Sequence, residues 1–331
     1  MTHIDAQLHA DADALGTARA LAASGHTVDL NGIVAHAASH DTVALTCILA
    51  SIATTVGIAW PIGSSIVLAA LLMSTLTDAD GGSGWVRNLI VKTIDHTVVV
   101  WPRNGHEDRP DQPTLLITAP LTRTIGPPSE ALRWFIVPMT GCLVGIGSTA
   151  GNGLWGPTPN IAAGCALLAA GIVLVARRAW VRKSAEDNPA RAVWEHELNR
   201  HSDTGTVRVV WSLVGGSEGH NDGLTTLLLN HGHRISKDHT RVLCLSPSTE
   251  ALSIMTQEGW IRPRRTDPWF HDAARDLRIP VCQGTSAALT AIRLGWRAAT
   301  LCIASDQQHR ARMAVQRIIE AAATSHREST W

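Results

Sequence analysis

Apolar residues gather into two long runs from which charge is nearly absent. Residues 42–79 hold a single charged side chain, Asp78, and residues 134–176 hold none, so all 28 Lys and Arg lie elsewhere. A bilayer core takes about 20 apolar residues in helical form, with about 17 as the lower limit. The first run is about twice that minimum, and Trp60-Pro61-Ile62-Gly63 interrupts it. Proline removes a backbone donor and disfavours helix in the residue before it, so the pattern predicts two spans, 43–59 and 62–76. The second run repeats the design. Segments 135–150 and 160–176 flank the turn-rich stretch from Gly151 to Pro159. The pattern therefore predicts two hairpins and four transmembrane spans.

The two tight loops carry no Lys or Arg. The opposite ends are basic, with Arg87, Lys92, Arg133, Arg177, Arg178, Arg182 and Lys183. This asymmetry places both termini and the soluble segments in the cytoplasm, the chain being a multi-pass protein of the inner (plasma) membrane. Asp5, Asp11 and Asp13 without an apolar core argue against a cleavable signal peptide. The predicted spans contain no ionisable side chain of the kind that ion and proton pathways use. Their small residues, Gly141, Gly145, Ser148, Gly164 and Gly171, suit close helix packing. The hairpins are expected to anchor rather than transport. Trp60 and Trp155 in the loops, with Trp134 and Trp180 at the other ends, fit the membrane interface.

The remaining roughly 250 residues suffice for one domain with a large core. Helix and strand periods alternate along them. A helix is predicted at 12–24, with Leu15, Ala18, Leu21 and Ala22 on one face. Strands follow at 97–101 and 114–118, joined by the polar segment 102–113. Then come a helix at 185–201, a strand at 207–214, a helix at 222–231, a strand at 241–245, a helix at 285–294, a strand at 298–303 and a helix at 310–323. The strand at 207–214 is nearly all apolar and so buried on both faces. Such alternation predicts a three-layer α/β/α sandwich with a mixed central sheet, interrupted by the two transmembrane helical hairpins. The soluble domain is thus assembled from 1–41, 77–133 and 177–331, around hairpins at 42–76 and 134–176. Ligand sites of such sheets lie at the carboxyl ends of strands, here just after Thr118, Val214, Leu245 and Ile303.

Lys and Arg balance Asp and Glu at 28 each, and no basic cluster lies outside the membrane flanks, so nucleic acid is not an expected partner. None of the six Cys has metal-ligand spacing, and a disulfide framework is not expected in a reducing compartment.

Four segments, in order, resemble one family. Thr97-Val98-Val99-Val100-Trp101 with Thr114-Leu115-Leu116-Ile117-Thr118-Ala119-Pro120 resembles the Asn-Val-Val strand and the His-Tyr-Asp strand end of the di-zinc aminopeptidases, and the N-terminal helix and the hairpins suit the membrane-anchored, zinc exopeptidase-like members of that family. Ser184-Ala185-Glu186-Asp187-Asn188 resembles their Gly-Ala-x-Asp-Asn helix start. Val209-Val210-Trp211-Ser212-Leu213-Val214-Gly215-Gly216-Ser217-Glu218 resembles their strand ending in Gly-Ala-Glu-Glu. Gly284-Thr285-Ser286-Ala287-Ala288-Leu289, with Leu294-Gly295-Trp296-Arg297-Ala298, resembles a late block of the same family.

The resemblance implies two zinc ions bridged by a carboxylate, further His or acidic ligands, and a glutamate base that activates water. Carried over residue by residue, the metal ligands Asp187 and Glu218 are present as vestiges. The first His position is Thr118 and its Asp companion is Pro120. The base position is Ser217, whose hydroxyl does not take a water proton near neutral pH as a carboxylate does. The acid after the next strand is Ser246, and Ala304-Ser305-Asp306 stands where a late His is expected, with His309 the nearest. Two carboxylates do not hold two zinc ions. The expectation is a membrane-anchored, aminopeptidase-like protein that is catalytically inactive and has no cofactor. It would act in binding or scaffolding, with a protein or peptide ligand at the old cleft. Two alternatives stay open. One is an active zinc aminopeptidase with ligands rearranged to Glu218, His220 and Asp187. The other is a serine hydrolase using Ser217 in Gly215-Gly216-Ser217-Glu218-Gly219. Asp187 also fits a plain helix cap, and His231-Gly232-His233 fits a helix C-terminus.

Overall fold

The structure is a computed structural model that describes residues 3–35, 39–80, 84–90, 92–102, 111–121, 128–151, 156–183, 188–200, 207–215, 222–248, 250–259 and 261–325. The chain begins with α1 (His3–Ala23) and β1 (Thr27–Ala35), then leaves the sheet for α2 (Ser39–Val56), α3 (Pro61–Ala79) and the one-turn α4 (Trp85–Asn88). It returns as β2 (Thr93–Trp101) and β3 (Thr114–Pro120) and leaves again for α5 (Pro128–Ala150) and α6 (Thr158–Lys183). The rest runs α7 (Pro189–Arg200), β4 (Arg208–Val214), α8 (Asp222–Asn230), β5 (Thr240–Ser248), β6 (Ser253–Glu258), β7 (Arg264–Arg265), α9 (Pro268–Ala273), β8 (Val281–Gly284), α10 (Ala287–Arg293), β9 (Arg297–Ala304) and α11 (Gln308–Ser325).

The strands form one mixed sheet in the order β1-β2-β4-β3-β5-β9-β6-β7, with β8 attached to β6. Strands β4, β3, β5 and β9 are mutually parallel at the centre, and β2 and β6 flank them antiparallel. Side chains alternate across the pleat, which divides the core in two. Leu115, Ile117, Val209, Trp211, Leu243 and Leu301 face α1, α7, α9 and α11. Leu116, Val210, Val242 and Ala298 face α8 and α10. This is the expected α/β/α layering, and β3 and β4 are buried along their whole lengths.

Several local expectations change. The buried face of α1 is Ala14, Ala18 and the partly buried Leu21, whereas Leu15 and Ala22 point to solvent. Gly25, at φ 83°, ends α1 in the left-handed turn, with His26 N–H donating back to the Leu21 carbonyl. Strands β1, β6, β7 and β8 carry no strong sequence signal. In β1, Asp29, Asn31 and Gly32 are residues that strands disfavour, and it exists through its nine-residue register with β2, from Thr27↔Trp101 to Ala35↔Thr93.

Helices α2, α3, α5 and α6 pack together as a separate bundle with its own small cores. Two of them, α3 (Pro61–Ala79) and the part of α6 from Thr158 to Val175, are long and apolar enough to cross a membrane by length and composition. The apolar parts of α2 and α5 are shorter, Asp41–Val56 and Phe135–Ala150, so four spans are not supported. Helix α2 stops early because the turn at Gly57–Ala59, closed by Trp60 N–H on the Val56 carbonyl, prepares for Pro61. The bundle buries hydroxyls beside its apolar cores and turns many large apolar side chains outward. Ile62, Ile66, Met73, Leu143, Ile172 and Val173 point outward, while Thr46, Ser51, Thr54, Ser64, Thr149 and Asn160 are buried inside. Ser51 Oγ donates to the Gly164 carbonyl at 2.7 Å, an approach that the glycine permits: a Cβ at 164 would stand 2.8 Å from Thr55 Oγ1.

Candidate functional site at the carboxyl edge of the sheet

The four parallel strands end together, and their register brings small polar side chains into line. Ser212 pairs with Thr118, Thr118 with Cys244, and Cys244 with Thr300, so one row crosses β4, β3, β5 and β9 on the face covered by α8 and α10. All four are buried, Thr118 at 2% exposure. Ser212 Oγ donates to the Val98 carbonyl at 3.1 Å. Thr118 hydrogen-bonds the Cys244 thiol, which burial nonetheless pushes up to about 12. The next row outward is Val214, Pro120, then Ser246 beside Cys302, then Ser253 of β6.

Thr118 therefore lies inside the sheet with its hydroxyl engaged by a neighbouring strand. Ser246 does not follow a strand as expected. Strand β5 continues to Ser248 because Ser246, Pro247 and Ser248 stay in register with Cys302, Ile303 and Ala304. Asp306 and His309 are both exposed, Asp306 on the short turn after β9 and His309 at the start of α11.

Asp187, Ser217, Glu218 and His220 lie outside the described residues, but their neighbours are placed. Asn188, next to Asp187, sits at the end of β3. Its Nδ2 donates to the Pro120 carbonyl at 3.2 Å, and its Oδ1 accepts the Arg191 N–H at 3.1 Å. A cap for this helix is one of the two readings open for Asp187, beside a vestigial metal ligand. Asn188 performs it because the third backbone N–H of the helix falls within reach of its side chain. Arg191 then ties α7 to Asp13 and Thr17 of α1 and to the Leu121 carbonyl.

At the end of β4, Gly215 presses against β2. A Cβ there would stand 2.2 Å from the His96 carbonyl and 2.8 Å from Asp95 Oδ1, so no other residue fits. Asp222 opens α8 and lies close enough for its charge to act on Arg87. Arg87 is wholly buried at the foot of the helical bundle, 3.4 Å from Asp78. Burial pulls its guanidinium below the ordinary range, against the charges of Asp78 and Asp222. This buried ion pair thus sits where bundle and sheet meet. His231 and His233 fall at the opposite end of α8, beside Trp101 and Asn31, and stand apart from this edge. Burial lowers the His231 pKa.

A strongly perturbed carboxyl group among the described residues is Glu258, at the end of β6. It is fully buried, and it accepts the Ser286 N–H at 2.9 Å and the hydroxyls of Ser286 and Thr300 at 2.7 Å each. Burial raises it to about 7, against those hydrogen bonds. It fixes the start of α10, where Ser286 Oγ also accepts the Ala288 N–H. Sequence reasoning missed it because β6 itself was missed. A carboxyl group sealed in this way ties the end of β6 to β9 and to the start of α10.

Among the described residues, no three His, Cys, Asp or Glu gather as metal ligands would. What the described edge offers is hydroxyl, thiol and backbone groups, which donate and accept hydrogen bonds.

No protein-family model matches the chain, and no curated protein matches it. Among solved structures it is similar to the LapA aminopeptidase of Legionella pneumophila at 10% identity, with a TM-score of 0.32, over 70% of this chain and 53% of that one. It is similar to an aminopeptidase from Aneurinibacillus sp. strain AM-1 at 12% identity and a TM-score of 0.30, over 71% and 48% of the two chains. It is also similar to BSAP, a zinc aminopeptidase from Bacillus subtilis, at 10% identity and a TM-score of 0.30, over 70% and 50%. The chain spans about half the length of these structures.

Proposed function

We propose that this protein is a membrane-anchored, aminopeptidase-like binding or scaffolding protein without peptidase activity. Its α/β domain lies on the cytoplasmic side of the inner membrane and presents the carboxyl edge of the sheet to a protein or peptide ligand. The observation that carries the loss of activity is Thr118. Where the resembled family places a zinc-binding imidazole, this chain has a buried hydroxyl engaged with Cys244 in a row of small side chains. A hydroxyl there supplies no neutral nitrogen donor, which zinc sites of this kind use. Anchoring is supported by the outer face of the bundle: the many large apolar side chains it exposes, over an interior that also holds glycines and hydroxyls, suit a lipid surround rather than water.

The test is the metal content of the detergent-purified chain, with hydrolysis of aminoacyl-nitroanilides measured on the same sample. Substoichiometric metal and no hydrolysis are expected. Two zinc ions per chain, with activity abolished in Glu218→Ala, would overturn the proposal in favour of a rearranged metallopeptidase. Carbonate washing of expressing cells' membranes tests the anchor separately, and release of the chain into the supernatant would refute it.

A further inference from the structure

The segment after α3 turns back along that helix instead of leaving it. Gly84 N–H donates to Asp78 Oδ1 at 2.9 Å, Val86 N–H to Ser74 Oγ at 3.1 Å, and the Trp85 indole Nε1–H to the Ala70 carbonyl at 3.1 Å. The acceptors climb α3 from its last turn to its middle, Ala70 being the tenth of its 19 residues. Gly84 permits the approach, because a Cβ there would stand 2.5 Å from the Ser74 carbonyl. Val86 and Arg87 are wholly buried. Arg87, one of the basic residues that flank the spans in the sequence, closes the turn 3.4 Å from Asp78. Each of these donors is thus held by protein rather than left for water. Backbone outside a long helix is tolerated at membrane depth only on that condition.

Trp85 itself remains 44% exposed, and Ile66, Val67 and Met73 of α3 are exposed as well. An indole whose N–H is taken by a backbone carbonyl offers its surroundings only an apolar ring. Helix α3 is about 28 Å long at the usual helical rise, close to the thickness of a bilayer core. The level of Ala70, which the Trp85 ring reaches, is therefore well inside that core.

We propose, on the anchored reading of the bundle, that residues 84–88 form a re-entrant turn within the cytoplasmic leaflet and that the Trp85 ring is a lipid-contact surface seated among phospholipid acyl chains. Asp78 and Arg87, whose charges hydrocarbon opposes, are paired inside the protein and out of contact with lipid. The chain then leaves the leaflet to enter β2 at Thr93.

The experiment applies hydroxyl-radical footprinting to the full wild-type chain in phosphatidylethanolamine–phosphatidylglycerol nanodiscs, read by peptide mass spectrometry. Leu229, 64% exposed on the α/β domain, is the labelled reference. Met73 and Trp85, whose side chains are intrinsically more reactive than leucine, are both expected to stay unoxidised. Oxidised Trp85 beside a protected Met73 overturns the re-entrant turn and leaves the anchor standing. Oxidation of both removes the anchor, and the turn with it. A benzophenone side chain in place of Trp85, cross-linked by light in the same nanodiscs, identifies what covers the position. Phospholipid adducts are expected, and cross-links to protein in place of lipid overturn the proposal.

Discussion

The Glu258 carboxyl group accepts the Thr300 hydroxyl at 2.7 Å across the boundary between β6 and β9, with no exposure to solvent. Burial lifts its pKa from about 4.5 to about 7, so the folded chain holds a proton there that the unfolded chain has released. Where the folded state binds more protons, stability falls as pH rises. The loss develops between about pH 4.5 and pH 7 and is complete above that window. Glu258→Gln keeps one acceptor and one donor and stays neutral. It is expected to match wild type near pH 5 and to be more stable at pH 8, by about 1–3 kcal/mol. Thermal melts of the detergent-purified proteins at the two pH values check this, and a constant difference across the range contradicts it.

Thr118→His reinstates the imidazole of the resembled family at a site with no room for it. Ser212 and Cys244 flank the residue in register, and it is 2% exposed. Overpacking a close-packed core costs about 1–3 kcal/mol. The variant is expected to be destabilised by that amount and to take up no more zinc than wild type. Urea unfolding and metal analysis of the same preparation decide both points.

Arg87→Met removes one half of a buried ion pair and leaves Asp78 charged inside the protein. Breaking such a pair from one side typically costs about 3–5 kcal/mol, whereas replacing both partners by apolar residues is often neutral. The single variant is therefore expected to be strongly destabilised, and Arg87→Met with Asp78→Leu to recover most of the loss. Melting temperatures of the two singles and the double form the required cycle. No recovery in the double would mean that Asp222, whose charge also acts on Arg87, is the partner that matters.

Asn188→Ala removes the α7 cap and the bond to the Pro120 carbonyl together. A lost N-cap costs about 0.5–2 kcal/mol. The expected result is a stability loss within that range, and Asn188→Asp is expected to restore the cap but not the donor to Pro120. Denaturant midpoints of both variants distinguish the two contributions.

The central architecture follows from local pattern. The charge-free runs mark the bundle, and the β-rich stretches 97–101, 114–118, 207–214, 241–245 and 298–303 coincide with strands of the observed sheet, the third strand starting one residue later at Arg208. Apolar alternation and helical period are local properties, so they survive in the sequence. The order β4-β3-β5-β9, the register that aligns Ser212, Thr118, Cys244 and Thr300, and the existence of β1 and β6 depend on partners far away in the chain. The resemblance led only to the expectation that Thr118 stands where a metal ligand would be, and tertiary packing alone showed its hydroxyl buried and engaged with the neighbouring Cys244. Glu258 and Arg87 are ordinary charged residues in the sequence. Each became distinctive only because folding removed it from water, and the cost of burying a charge is a property of its surroundings rather than of the residue.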